Sequence, residues 1–575
     1  MCKTDPLDVE AWVKSSVTSR RLGRHEEAER HARRAALLSP ALAFAHHALG
    51  AALHCQGRRD EAMQAYNRAI ALKPDHADAH YLLGNALLEA GRLAKAQASL
   101  QRALDLRPEL FEALSDLGAV LLMMGQPTAA QAALQRALAL HPDSPEVLAN
   151  LATLFEADGR VDDALALYQR ALSPRPGSPD VLGKQAELLE PTGRLGEARH
   201  ELDFGFARDP AHPMLNLVAA RLERREARHA EAEARLEALL ARPLPETTRG
   251  EVHLLLGQIR DRLGRTEAVL HHLSEGKRRT AAAADPHGAG RRRFLETIDF
   301  YETLARHPIL DAAPDPAAGN GASPIFLIGF PRSGTTLLEQ ILDSHPALCA
   351  MEERPASARL EQAFLELTGG LPQMPRTLDE ERLAALRRIY RDEAARHVSP
   401  CKGGRIVDKL PLNTVRVPLL WRVFPDAKFI LAIRHPCDVA LSCLMQSFGP
   451  NDAMAGFTSL ENIAEIYARV MRVWEGFADR LPLQWQAIRY EDLIADVEGE
   501  TRRLLEFLGV PWDDAVLQYT HHARQRVAIR TPSYHQVTQP IYQHASFRWK
   551  RYEDAFRPII LPMLQPFIDR FGYQE

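Results

Sequence analysis

Pro324-Ile325-Phe326-Leu327-Ile328-Gly329-Phe330-Pro331-Arg332-Ser333-Gly334-Thr335-Thr336 decides the architecture of the C-terminal half of this chain. Residues 324–330 are an apolar run of the length of a buried parallel strand, and the pattern from Thr335 through Leu342 is helical. A glycine loop joins them. Strand, glycine loop and helix in that order bring free backbone N–H groups and the positive end of a helix dipole to one point, where they can hold a phosphate or sulfate. The glycine spacing, Gly329 to Gly334, is that of a Walker A loop, but Thr335-Thr336 stands where Lys-Ser/Thr is required. Without the lysine that reaches the terminal phosphates, ATP hydrolysis is the poorer reading.

About a hundred residues on, Ala427-Lys428-Phe429-Ile430-Leu431-Ala432-Ile433 predicts a second buried strand, ending in Arg434-His435-Pro436 and a helix that contains Ser442. An arginine fork at a strand end and a hydroxyl in the first turns of a helix suit a phosphate monoester.

The first half is organised by repetition. Glycine recurs at 23, 57, 91, 125, 159 and 193 and proline at 40, 74, 108, 142, 176 and 210, each with a spacing of 34. Alanine follows each glycine by five residues (Ala28, Ala62, Ala96, Ala130, Ala164, Ala198), and a second alanine stands seven further on in five of these six units. Small residues at those places let two helices pack closely, with glycine ending the first helix and proline following the second. A seventh unit keeps Ala232 and Leu236 but has Ala227 in place of the turn glycine, and a shifted eighth appears at Leu256-Gly257 and Gly264. This pattern resembles the tetratricopeptide repeat, whose stacked units form a superhelix with a groove that binds peptide segments. No organisation is legible over 280–290, a helix is predicted over 293–307, and the Pro-, Gly- and Ala-rich stretch 311–323 reads as a linker.

The rest of the composition excludes more than it assigns. A 575-residue chain exceeds a single core, and 46% hydrophobic with 25% charged residues at net charge −4 is ordinary for a globular protein. The absence of a basic excess argues against nucleic-acid binding. No apolar leader and no run of 18 apolar residues is present, which argues against a membrane span. The six cysteines are scattered, with no metal-ligand spacing, so no metal is implied and reduced thiols are expected.

Pro-Arg-Ser-Gly-Thr-Thr after a buried strand resembles the 5′-phosphosulfate loop of sulfotransferases and is especially similar to that of the tyrosylprotein sulfotransferases. The resemblance implies 3′-phosphoadenosine 5′-phosphosulfate as co-substrate, with Arg332, Ser333, Gly334, Thr335 and Thr336 at its 5′ end. It implies that Arg434 and Ser442, eight positions apart as in that family, take the 3′-phosphate. Glu353, 21 residues beyond Arg332, stands where that family carries its catalytic base, with Glu352 the adjacent rival. The family's Glu-Glu-Thr-Arg is Glu352-Glu353-Arg354-Pro355 here, a departure that leaves acceptor positioning open.

Lys409, in Val407-Asp408-Lys409-Leu410-Pro411-Leu412-Asn413, matches the family's catalytic lysine, and Tyr490 a cofactor-contacting tyrosine. Ser533 matches a serine that acts near the transferred group. Arg548 replaces a lysine that contacts the 3′-phosphate, exchanging a point charge for a planar fork.

The expected architecture is an all-α tetratricopeptide superhelix (1–280), a helix and linker (281–323) and an α/β P-loop-like sulfotransferase domain with a mainly parallel sheet (324–575). The order of repeats and catalytic domain resembles a group of bacterial fusion proteins. The implied reaction is sulfuryl transfer to an acceptor hydroxyl, a protein tyrosine foremost, with the repeat groove recruiting the protein or peptide. A glycan or small-molecule acceptor, with the repeats serving partner binding or a homodimer, stays open. So does a repeat scaffold whose nucleotide-binding domain is not catalytic. Animal tyrosylprotein sulfotransferases are membrane-anchored; this chain shows no anchor, and a cytoplasmic location is expected.

Overall fold

The computed structural model describes residues 8–157, 159–174, 177–285, 288–305, 323–368, 379–398, 404–448, 451–525 and 546–573. By its contacts the chain divides into two units, Met1–Val218 and Ala219–Glu575.

The first unit is a stack of helix pairs, beginning with Val9–Arg21 against His25–Leu38 and Ala43–Cys55 against Arg59–Leu72, and reaching Pro179–Leu189 against Leu195–Phe206. Its close packing follows from the periodic small residues. Ala28, Ala62, Ala96, Ala130, Ala164 and Ala198 are all fully buried. At Gly84 a side-chain Cβ would lie 2.7 Å from Leu100 of the paired helix, closer than real contacts allow. The turn glycines end the first helix of each pair in the left-handed region, as at Gly57 (φ +75°). Ala227, which replaces glycine in the seventh unit, takes the same conformation (φ +60°), so the turn persists at a backbone cost of about 1–2 kcal/mol.

The second unit opens with helices α1 (His229–Leu240), α2 (Glu246–Arg262), α3 (Val269–Ala284) and α4 (Ala289–Ala305). The segment over 280–290 that lacked a sequence pattern is organised by Asp285. Its carboxylate accepts the first free N–H groups of α4, from Ala289 (2.8 Å), Gly290 (2.9 Å) and Arg291 (3.2 Å). Burial pulls its pKa upward, but these three donors outweigh that and hold it below the usual carboxylate value.

A five-stranded sheet follows, built from β1 (Ile325–Gly329), β2 (Leu348–Glu352), β3 (Arg405–Lys409), β4 (Lys428–Ile433) and β5 (Gln484–Arg489) in the order β2-β3-β1-β4-β5. Every pairing is parallel. Both faces are covered, which is why β1 is apolar at every position: Phe326 and Ile328 enter one core, Ile325 and Leu327 another. The first core is shared by the sheet, by Leu254 of α2, Val269 and Leu273 of α3, and Phe294, Ile298 and Tyr301 of α4. Helix α5 (Thr335–Asp343) packs on the other face through Leu338, Ile341 and Leu342. Helices α6 (Pro436–Met445) and α7 (Leu460–Ala478) complete the first core.

No helix among the described residues is long and apolar enough to cross a membrane. Cys349 on β2 is disulfide-bonded, which corrects the expectation of reduced thiols at that cysteine; scattered spacing along the chain does not show which sulfurs meet in space. Cys437 and Cys443 are free and buried, and burial pushes the Cys443 thiol up to about 12.

Candidate active site

Because all five strands are parallel, their carboxyl ends lie along one edge of the sheet, and the sequence-predicted site residues up to Tyr490 lie at a strand end, in the loop after it or on the helix that follows. Residues 330–334 follow β1, Glu353 follows β2, Lys409 ends β3, Arg434 follows β4 and Tyr490 follows β5. Strand order departs to opposite sides of β1 at β3 and β4, the topological switch point where open α/β sheets hold ligands.

The loop after β1 is fastened from both sides. Thr414 Oγ accepts the Gly329 N–H at 2.9 Å and donates to the Gly329 carbonyl at 2.7 Å. At the far end Gly334 caps α5 with φ +92°. A Cβ there would sit 2.7 Å from the Tyr490 ring, so only glycine lets the loop close on that tyrosine. Ser333, Thr335 and Thr336 are buried around the first turn of α5. Arg332 takes φ +73°, a left-handed conformation uncommon for a side-chain-bearing residue and one that clusters at functional sites.

The structure joins the two candidate anion sites that the sequence separates. Arg332 Nε donates to Ser442 Oγ at 3.0 Å, so the loop arginine touches the hydroxyl of the second site. The Arg434 guanidinium stacks on the Tyr490 ring, 4.8 Å from its centre, and that ring is the one packed on Gly334. Arg332, Arg434 and Ser442 form one basic, hydroxyl-bearing cluster beside the amino end of α5. Such a cluster, with helix N–H groups, is suited to an anion carrying more than one phosphate.

Lys409 and the acidic pair occupy the other side of the loop. Lys409 is fully buried, its ammonium 3.1 Å from Glu339 Oε2 and 2.9 Å from Glu353 Oε1. Burial alone would lower its pKa; the carboxylates of Glu339 and Glu353 outweigh that and raise it, so the amine stays charged. The two adjacent glutamates differ sharply in environment. Glu352 is the last residue of β2, in register with Lys409, and is buried, whereas the Glu353 side chain is 45% exposed and holds the lysine.

Arg548 lies against α6. Asp438, in the first turn of that helix, accepts the Phe547 N–H at 2.5 Å and the Trp549 N–H at 2.9 Å. The Arg548 guanidinium pairs with Asp261 of α2. Ser533 lies outside the described residues. The sequence reading missed Glu339, Thr414, Asp438 and Asp261. Glu339 is the residue a pattern could have raised, since it stands one helical turn after Thr335 on a helix with both faces covered. Among the described residues no group of three or more histidine, cysteine, aspartate or glutamate side chains could hold a metal.

Comparison with known proteins agrees with this layout. Residues 324–514 match the model of the "Sulfotransferase family". Residues 52–91 and 84–125 match a "TPR repeat" model, and 115–179 a "Tetratricopeptide repeat" model. An uncharacterized protein of Aquifex aeolicus is 35% identical over 41% of this chain, and this chain covers 32% of that protein's length. Protein-tyrosine sulfotransferase A of Caenorhabditis elegans is 25% identical over 48% of this chain and 73% of its own length. Protein-tyrosine sulfotransferase 1 of Danio rerio is 28% identical over 43% of this chain and 72% of its own. An all-α repeat array and a parallel five-stranded sheet with its glycine loop at the carboxyl edge match these two families in turn: the chain carries tetratricopeptide repeats over residues 52–179 and a sulfotransferase-family domain over residues 324–514.

Proposed function

We propose that this protein transfers a sulfuryl group from 3′-phosphoadenosine 5′-phosphosulfate to an acceptor hydroxyl, a protein tyrosine foremost, and that the repeat groove recruits the protein or peptide that carries it. One observation carries the reading most: a buried Lys409 ammonium and a half-exposed Glu353 are held in contact beside a glycine loop that opens a helix. Glu339 suffices as the counter-charge of the buried lysine, which leaves the half-exposed Glu353 carboxylate available for chemistry.

The residues present fit that nucleotide. The amino end of α5 offers backbone N–H groups for a 5′-phosphate, with Thr335 and Thr336 in its first turn. Arg434 and Ser442 offer a fork and a hydroxyl for a 3′-phosphate, with Arg548 as a third donor. When bound, the nucleotide would supply the sulfuryl group on its 5′-phosphate. Glu353 takes the proton from the acceptor hydroxyl; help of this kind is worth roughly 10²–10⁴-fold. Lys409 and Arg332 place positive charge where the leaving phosphate oxygen becomes more negative. Ser533 is assigned to the same region by its match to the family alone.

Calorimetry of the full chain tests the donor. Tight binding of 3′-phosphoadenosine 5′-phosphate and weak binding of ATP is the expected result, and the reverse order would overturn it. Mass spectrometry after incubation of the donor with tyrosine peptides and with glycans then reads the acceptor, and sulfation of glycans alone would remove the tyrosine.

A further inference from the structure

The last helical hairpin of the repeat array, α2 and α3, is built into the catalytic unit. Leu254, Val269 and Leu273 share a core with Cys437, Ala440 and Leu444 of α6, the helix that carries Ser442. Polar contacts reinforce this at one end of α6. Gln258 of α2 donates to the Met445 carbonyl at 2.6 Å, and Lys277 of α3, itself buried, donates to the Gln446 carbonyl at 2.5 Å. Carbonyls at and just beyond a helix carboxyl end lack intrahelical partners, and a cation there is favourable to the helix dipole.

One turn after Gln258, on the same face of α2, stands Asp261. Its carboxylate is 2% exposed and pairs with the Arg548 guanidinium; its other oxygen accepts the Tyr552 hydroxyl at 2.6 Å. Arg548 in turn leaves a backbone that Asp438 fastens on both sides, one turn of α6 before Ser442. The backbone is thus fixed by one carboxylate and the guanidinium by another.

Resting on the assignment of Arg434, Ser442 and Arg548 to a 3′-phosphate, we infer that Asp261, a residue of the repeat array, is a positioning residue of the donor site, holding the Arg548 guanidinium for the 3′-phosphate. Two arguments favour positioning over competition for the arginine. A guanidinium has five donors, so one carboxylate leaves others for phosphate. Asp261 also lies 4.0 Å from Arg551, so its charge is balanced by more than Arg548. The immobilised side chain has already lost its rotamer freedom before ligand arrives.

The test is calorimetry of full-length wild type and Asp261→Asn with two ligands that differ only in the 3′-phosphate, 3′-phosphoadenosine 5′-phosphate and adenosine 5′-monophosphate. The expected result is about a tenfold loss of affinity for the first with the second changed by less than about twofold. Equal weakening of both ligands would make Asp261 merely structural, and unchanged or tighter binding of the 3′-phosphorylated ligand would make it a bystander or a competitor; each overturns the inference. A wild type that does not prefer the 3′-phosphorylated ligand sinks the proposed function itself and is read before any variant. If Asp261→Asn does not fold, Tyr552→Phe removes the second hydrogen bond to Asp261. About a threefold loss confined to the 3′-phosphorylated ligand is then expected, and no such selective loss overturns the inference.

Discussion

The Lys409 ammonium lies 3.1 Å from Glu339 Oε2, and both side chains are fully buried. Removing one partner of a buried ion pair strands the other charge in the interior at a large cost. Glu339→Gln leaves Lys409 with Glu353, whose side chain is 45% exposed, and is expected to cost about 3 kcal/mol or more of stability in denaturant unfolding. Lys409→Met in the same chain should recover part of that loss, because it removes the stranded charge. Strictly additive single and double variants would show that the two residues are not coupled. Because the folded pKa of Lys409 is raised, its contribution is complete below roughly 10.4, the unfolded value, and is lost only as pH rises through the folded one.

Asp408, the neighbour of Lys409 on β3, is also shifted upward, but there the uncharged form is the one favoured. Burial pushes its carboxyl up to about 7, against the hydrogen bond from the Tyr390 hydroxyl at 2.8 Å. A carboxyl whose folded pKa lies above its unfolded value keeps its proton longer in the folded state. Stability therefore falls as pH rises from about 4 to 7 and levels off above. Asp408→Asn, which cannot ionise, is expected to flatten that slope in denaturant midpoints measured between pH 5 and 8. An unchanged slope would place the titrating group elsewhere.

Periodicity made the repeat array legible, because each 34-residue unit imposes the same small residues at the same contacts. Even the exception at Ala227 keeps the left-handed turn conformation of the glycines it replaces. Strands β1 and β4 were legible because both faces are covered and every position except Lys428, the first of β4, is apolar. Strands β2 and β3 were not recognised from sequence: β2 ends in Glu352, and β3 begins with Arg405 and ends in Asp408-Lys409, so neither reads as an apolar run. Glu339 and Asp261 were unreadable for a different reason. A lone acidic residue in a helix looks like a solvated face, and their burial is decided by Lys409 and Arg548, which come 70 and 287 residues later in the chain.

The choice between the adjacent glutamates is a kinetic prediction. Glu353→Gln should lower turnover by about two decades while affinity for 3′-phosphoadenosine 5′-phosphate, read by calorimetry, stays within a few-fold. Glu352→Gln should instead show mainly as a lower melting temperature, since that side chain is buried at the end of β2. Near-normal turnover in Glu353→Gln with a large loss in Glu352→Gln would exchange their roles.

The contact between Gly334 and Tyr490 predicts that a single methyl group disables the proposed donor site. At φ +92° an alanine is strained by about 1–2 kcal/mol, and its Cβ would lie 2.7 Å from Tyr490 Cδ2. The ring must then move, and with it the Arg434 guanidinium that stacks on it. Gly334→Ala is expected to weaken 3′-phosphoadenosine 5′-phosphate by about tenfold or more and to lower the melting temperature together with it. Gly196→Ala is the control, because no atom lies within 4 Å of that Cβ and helix propensity alone should add about 0.5–1 kcal/mol. Tyr490→Ala in the Gly334→Ala background relieves the clash but abolishes the stacking, so stability should recover in part and affinity should not. Recovery of both would mean that Tyr490 does not hold Arg434 for the ligand.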